Sequence, residues 1–144
     1  MLFFAATMFA QSTNDYMEVE RAALKTEKKA IIVEAMAFTD EESKVFWPLY
    51  NEYSEKKYVI NTNVYTNITD YADNYEALSG EKAIELWNNS MKYKGELAKL
   101  EKSYFKKFLK ILPGKKAARY FQLENKLNML IQAELAIEIP LIQE

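Results

Sequence analysis

The chain has 144 residues, a formal net charge of −2, 49% hydrophobic and 28% charged residues, and only 3 Gly and 3 Pro. These are values of one globular domain, poor in turn formers, so sandwiches and barrels are disfavoured and long helices favoured. Cys and His are both 0, which excludes disulfides, thiol nucleophiles, thiolate or imidazole zinc sites and imidazole general bases.

Leu2 to Ala10 is an apolar run that ends in a small residue, and the polar stretch Gln11 to Asp15 follows at once. It is too short to span a bilayer of about 30 Å. Residues 1–10 therefore read as the remnant of a secretory signal peptide cleaved after Ala10. No Lys or Arg precedes the run, which fits a start codon further upstream. The alternative is an N-terminal helix docked on the core. Without Cys there is no lipid-attachment site of the bacterial lipoprotein kind. The expectation is an exported protein with no stable membrane insertion, whose residues 11–144 form a single all-α domain.

A first helix is expected from about Asp15 to Ala37, weakly amphipathic, with Val19, Ala23, Ala30 and Ala37 on its narrow partner face. Thr39-Asp40-Glu41-Glu42 is a capping-box sequence and starts a second helix. Along that helix Phe46, Leu49, Tyr53, Ile60, Val64, Ile68, Tyr71, Tyr75 and Leu78 recur at helical gaps, one long stripe over about ten turns. Pro48 lies inside it and removes one backbone hydrogen bond. Leu78-Ser79-Gly80-Glu81 breaks the chain, with Ser79 as cap of a third helix running to about Leu112. Leu86, Tyr93, Leu97, Leu100, Tyr104 and Phe108 form its inner face, and Trp87, Phe105 and Leu112 widen it. Pro113-Gly114 separates a fourth helix from about Lys115 to Glu138, with Ala117, Tyr120, Phe121, Leu127, Ile131 and Leu135 inward.

The stretch around residues 38–53 echoes at an offset of 40 residues: Phe38 with Leu78, Thr39 with Ser79, Glu41 with Glu81, Phe46 with Leu86, Trp47 with Trp87 and Tyr53 with Tyr93. Phe38-Thr39-Asp40-Glu41-Glu42 and Leu78-Ser79-Gly80-Glu81-Lys82 resemble degraded copies of the Leu-Thr-x-x-Gln motif that occurs twice in the periplasmic Spy and CpxP proteins. The stretches Phe46 to Tyr53 and Leu112 to Leu127 are similar to a divergent branch of that family. Glu42 and Lys82 stand where the motif has Gln; Glu42 can close a capping box and Lys82 cannot. The resemblance, over about residues 38–142, implies a cradle of helical hairpins, an antiparallel homodimer, and binding of unfolded proteins without ATP. It also admits a second role, an accessory regulator or sensor subunit of an envelope stress response. Metal-sensing relatives use His and Met ligands, and this chain has no His.

Candidate client-binding residues fall in two groups. Trp47, Tyr58 and Tyr65 form a flank of the second helix at about 100° to 120° from its main stripe, offering large amphipathic area at low rotamer cost. Packing against the first helix or a second subunit is the competing explanation. Lys99 to Arg119 contains eight cations and one acid, Glu101, whereas residues 1–98 hold 16 acids and 10 cations. The molecule is thus electrically polar along its length. Within the basic stretch Lys102, Lys106 and Lys110 are spaced by four and suit weak attraction of an acidic partner. Nucleic acid is disfavoured, because Arg is nearly absent there. No nucleophile, base and orienter converge, so neither an enzyme nor a cofactor is expected. The partners expected are unfolded or partly folded proteins, or a stress-sensor domain.

Overall fold

A computed structural model describes residue 21 and residues 27–144 of the chain. The expected signal-peptide remnant, with Val19 and Ala23 of the first helix, lies outside the described residues. Among those described there are four helices and no strand: α1 (27–36), α2 (Asp40–Asn74), α3 (Gly80–Leu109) and α4 (Gly114–Glu138). The all-α class expected from Gly and Pro scarcity is what forms.

Helix boundaries follow local chemistry. Thr39 and Glu42 close the capping box: the Glu42 N–H donates to Thr39 Oγ1 at 3.1 Å, and the Thr39 N–H donates to Glu42 Oε1 at 3.0 Å. Ser79 Oγ accepts from the Lys82 N–H at 3.1 Å and starts α3. α2 tightens into a 3-10 turn at Tyr75–Ala77 before the break, and α3 ends near Leu109 rather than Leu112. α1 stops at Ala37, whose φ of 45° is left-handed; its N–H donates to Val33 O at 3.2 Å. That is a helix stop usually given to glycine.

At roughly 1.5 Å per residue, the 35 residues of α2 make a rod of about 52 Å. The middle of this rod is rich in Thr and Asn, which are weak helix formers. Thr62, Thr66 and Thr69 turn their hydroxyls back to the carbonyls four residues earlier, those of Tyr58, Thr62 and Tyr65, which satisfies each hydroxyl at a small cost to the helix.

Contacts fix the directions. Tyr53 stacks near Tyr104, and Asn67 meets Asn89, so α3 runs antiparallel to α2. α4 returns parallel to α2, from Tyr120 beside Phe46 to the Pro140 carbonyl, which accepts from Tyr71 Oη at 2.6 Å. α1 lies against α2 and α4 and antiparallel to both, as Lys29 over Trp47 and the Arg119 Nε bond to Ala35 O show.

The core gathers at one end, where all four helices meet. Phe46 is its centre, with ring contacts to Phe38, Trp47, Tyr50, Phe108 and Tyr120 at centroid distances from 4.4 to 5.6 Å. Ile32, Met36, Leu112 and Ala117 complete it. At the other end burial thins to Ala72, Leu86 and Leu135. Two expectations are corrected here. The buried face of α1 is Ile32 and Met36, while Ala30 and Ala37 are exposed, because the larger side chains remove more apolar area from water. Trp87 does not widen the inner face of α3; it points outward and is exposed.

Candidate protein-binding surfaces

The two echoed helix starts carry different chemistry. Glu42, besides closing its own box, accepts a hydrogen bond from Lys116 at the start of α4. That bond, with the Thr39 backbone donor, holds its carboxyl below the usual carboxylate value. Lys82 cannot close a box and instead reaches across to Asp70 of α2 at 2.7 Å and to Glu85 at 3.3 Å. The Ser79 start thus fastens the α2–α3 hairpin at its turn end.

Of the aromatic flank, Trp47 is half-buried, packed edge-on against Phe46 and Tyr50, with Lys29 of α1 5.9 Å from its ring centre. Tyr58 remains exposed, but the Arg21 guanidinium lies 3.9 Å over its ring and 5.0 Å from that of Tyr65. Arg21 Nη2 also donates to Thr62 Oγ1 at 2.7 Å. The three aromatics therefore share the side of α2 that meets residues of the first helix.

Lys102, Lys106 and Lys110 are all exposed. At 100° per residue they lie on the far side of α3 from Tyr104 and Phe108. The structure does not bring them onto one surface with Trp47, Tyr58 and Tyr65: the lysines face out from α3, the aromatics face α1.

Between them, on the opposite flank of α2 from the aromatics, runs a shallow groove of about 380 Å³ between α2 and the end of α3. Val45, Pro48, Leu49 and Ile111 line it, and Glu52, Lys107 and Lys110 stand around it. Its polar edge is braced. Glu52 accepts from Tyr104 Oη at 2.5 Å and lies 3.5 Å from Lys107 Nζ; the Tyr104 bond, helped by Lys107, keeps its carboxyl below the usual value. Pro48 has no N–H to donate to the Lys44 carbonyl, so this stretch of α2 presents ring carbons and a spare acceptor to the surface.

One charged cluster was not anticipated from the sequence. Glu124 of α4 is 3% exposed, yet its carboxylate lies 2.7 Å from Lys28 Nζ and 3.1 Å from Lys57 Nζ, and accepts from Tyr120 Oη at 2.8 Å. Lys57 Nζ also donates to Asn128 Oδ1 at 3.3 Å. Burial alone would raise the Glu124 value, but Lys57 and Lys28 outweigh it and the net direction is down. Lys28 is also lowered, by burial that Glu124 only partly offsets. The same desolvation pushes the Tyr50 hydroxyl up to about 12 and the Tyr120 hydroxyl well above its ordinary value. The cluster is enclosed and spans α1, α2 and α4, which suits joining helices rather than meeting a ligand. A signal existed: Lys28, Lys57 and Glu124 each sit one turn from a core residue, Ile32, Tyr53 and Tyr120, on the inner stripe of its helix. A charge on an inner stripe requires a buried partner.

Among the described residues no group of three or more His, Cys, Asp or Glu side chains could hold a metal ion, and no helix is long and apolar enough to cross a membrane. The fold defines an all-helical bundle with an open groove. No protein-family model, curated protein or solved structure matches the chain.

Proposed function

We propose that this is a protein-binding protein of the Spy/CpxP-like kind, exported to the periplasm, which acts as a homodimer and holds unfolded envelope proteins without ATP. The observation that supports this reading best is the α2–α3 groove, with Val45, Pro48, Leu49 and Ile111 beside Lys107 and Lys110. A shallow apolar strip takes a short apolar segment of an extended chain with modest affinity, and the lysines draw in acidic flanks before contact. Modest affinity lets a client leave and fold. Lys110 keeps the role expected of it, whereas Trp47, Tyr58 and Tyr65 are better explained by their packing with residues of the first helix.

The test is suppression of aggregation of several unrelated clients. Val45→Ser combined with Lys110→Glu should weaken protection about fivefold, the equivalent of roughly 1 kcal/mol of lost contact, with helicity unchanged. Equal protection by variant and parent would remove the groove from the function. Protection of no client, together with tight binding to one sensor domain, would replace the holdase with a regulator.

A further inference from the structure

α1 is held to the bundle by few contacts. Of its residues 27–36 only Ile32 and Met36 are buried, four apart, and they complete the core cluster. Its polar hold is Lys28 Nζ on Glu124 at 2.7 Å, with an exposed bond from Arg119 Nε to Ala35 O at 3.0 Å. Residues 37–39 join it to α2, and the first of them, Ala37, carries the left-handed φ of 45°. Phe38 packs on Phe46 at 4.4 Å and ties the far side of this joint to the core. A left-handed backbone is strained in a residue other than glycine, and α1 sheds that strain by swinging away.

Glu124 is where the hold can be undone. Lys28 of α1, Lys57 and the Tyr50 and Tyr53 hydroxyls of α2, and the Tyr120 hydroxyl of α4 face its carboxylate; among the described residues α3 sends no charged group to it. Lysines and tyrosines do not change charge between about pH 6 and pH 3, so Glu124 alone in this cluster titrates there. Once it takes a proton, two ammonium groups are left together, shielded from water and without an anion. They are not equivalent. Lys57 keeps the Asn128 Oδ1 acceptor at 3.3 Å, whereas Lys28 has no other acceptor among the described residues. Lys57 also belongs to the 35-residue α2, the longest element of the bundle, and Lys28 to the short helix beside the strained joint.

We propose that α1 is a lid hinged at Ala37 and latched by Lys28 on Glu124, that protonation of Glu124 releases it, and that the apolar cleft uncovered between α2 and α4 is a second protein-binding surface. The cleft takes what α1 now gives it, a helix-forming segment with two apolar side chains four residues apart. With Glu124 neutral and Lys57 still charged, it disfavours a segment that carries a cation one turn before that pair. Trp47, which Lys29 of α1 approaches to 5.9 Å, stands at its rim. The lid rests on geometry alone; the role of the cleft rests on the protein-binding reading above. With α1 closed, the Glu124 carboxyl is held below its ordinary value. Opening removes Lys28 and lets that value rise, so protons favour the open form. The open-to-closed ratio should therefore grow below about pH 4.3, by up to about tenfold per pH unit.

The chain has two Trp, and Trp87→Phe leaves Trp47 as the reporter. Acrylamide quenching of Trp47 should rise below about pH 4 while the far-ultraviolet helix signal is kept. Lys28→Met in the same background removes the cation that acid would orphan, and its quenching should stay flat. Glu124→Gln should open the lid at neutral pH, and adding Lys28→Met should close it again, which separates release from failure to fold. Quenching that stays flat in the parent, rises only as helicity is lost, or rises equally with Lys28→Met would overturn the lid. A fluorescein-labelled peptide copying residues 27–36 and carrying Lys28→Met should bind the open Glu124→Gln chain and not the closed parent. No binding to a chain that quenching shows to be open would overturn the cleft as a binding surface and leave the lid standing. Neither outcome touches the groove, which is tested at neutral pH on the closed chain.

Discussion

Glu124 illustrates how a single residue can decide stability. With its two lysines it forms a buried ion cluster, and removing one member of such a cluster leaves charge without a partner in a dry place, typically a loss of about 3–5 kcal/mol. Glu124→Gln keeps the shape and removes the charge, so a loss of that order is expected in urea unfolding at pH 7. The acid dependence has a definite sign. Because the folded-state carboxyl is held below its ordinary value, its contribution is complete above about pH 4.3 and disappears as the pH falls through the lowered value. The difference in unfolding midpoint between parent and variant should therefore close between neutral and strongly acidic pH; a difference that stays constant to pH 2 would contradict the pairing. The inner-stripe register of Glu124, Lys57 and Lys28 was legible in the sequence. Their pairing was not, since residues 28, 57 and 124 come together only through the order of the helices, which no local pattern encodes.

Elements were the most legible level. The Thr39 and Ser79 caps, the Pro113-Gly114 break and the inner stripes of α2, α3 and α4 are local signals, and each forms where its residues stand. The buried face of α1 escaped prediction because its large apolar residues, Ile31, Ile32 and Val33, are consecutive rather than spaced at helical gaps. Ile31 and Val33, of similar type to Ile32, are exposed while Ile32 is buried, so composition alone could not choose. Trp87, expected to widen the inner face, stands about 100° around α3 from Leu86 and is exposed. The end of α1 is a place to gain stability. Ala37 pays for a left-handed backbone at a cost of about 1–2 kcal/mol, and Ala37→Gly should recover about 0.5–1 kcal/mol, net of glycine's greater freedom when unfolded. A rise of a few degrees in the thermal midpoint by circular dichroism is the expected result, and no rise would mean that another contact holds the turn.

Across the whole molecule the two ends differ in kind. One end is a four-helix aromatic core around Phe46 and Phe108; the other is a hairpin of α2 and α3 joined by Asn67, Asn89, Asp70 and Lys82, with the tail of α4 against it. Polar pairs near solvent resist opening less than a packed core. Amide hydrogen exchange should be slowest at residues 46–53 and 104–108, approaching the rate set by global unfolding, and faster by an order of magnitude or more at residues 84–91. Equal protection at both ends would mean that the polar end opens only with the core. The candidate groove lies at the firm end, so its shape should persist when the far hairpin loosens. Its location was not legible in the sequence, because Val45 and Ile111 belong to different helices and are joined only by the antiparallel return of α3.

The enclosed charges also bear on the order of assembly. During synthesis the first two helices emerge carrying Lys28 and Lys57, which converge on one spot and repel each other there. The acid that reconciles them emerges 67 residues after Lys57, on the last helix. A leading hairpin formed without α4 would hold both ammonium groups within 3.1 Å of the place that Glu124 fills, and docking of the fourth helix turns that repulsion into two attractions.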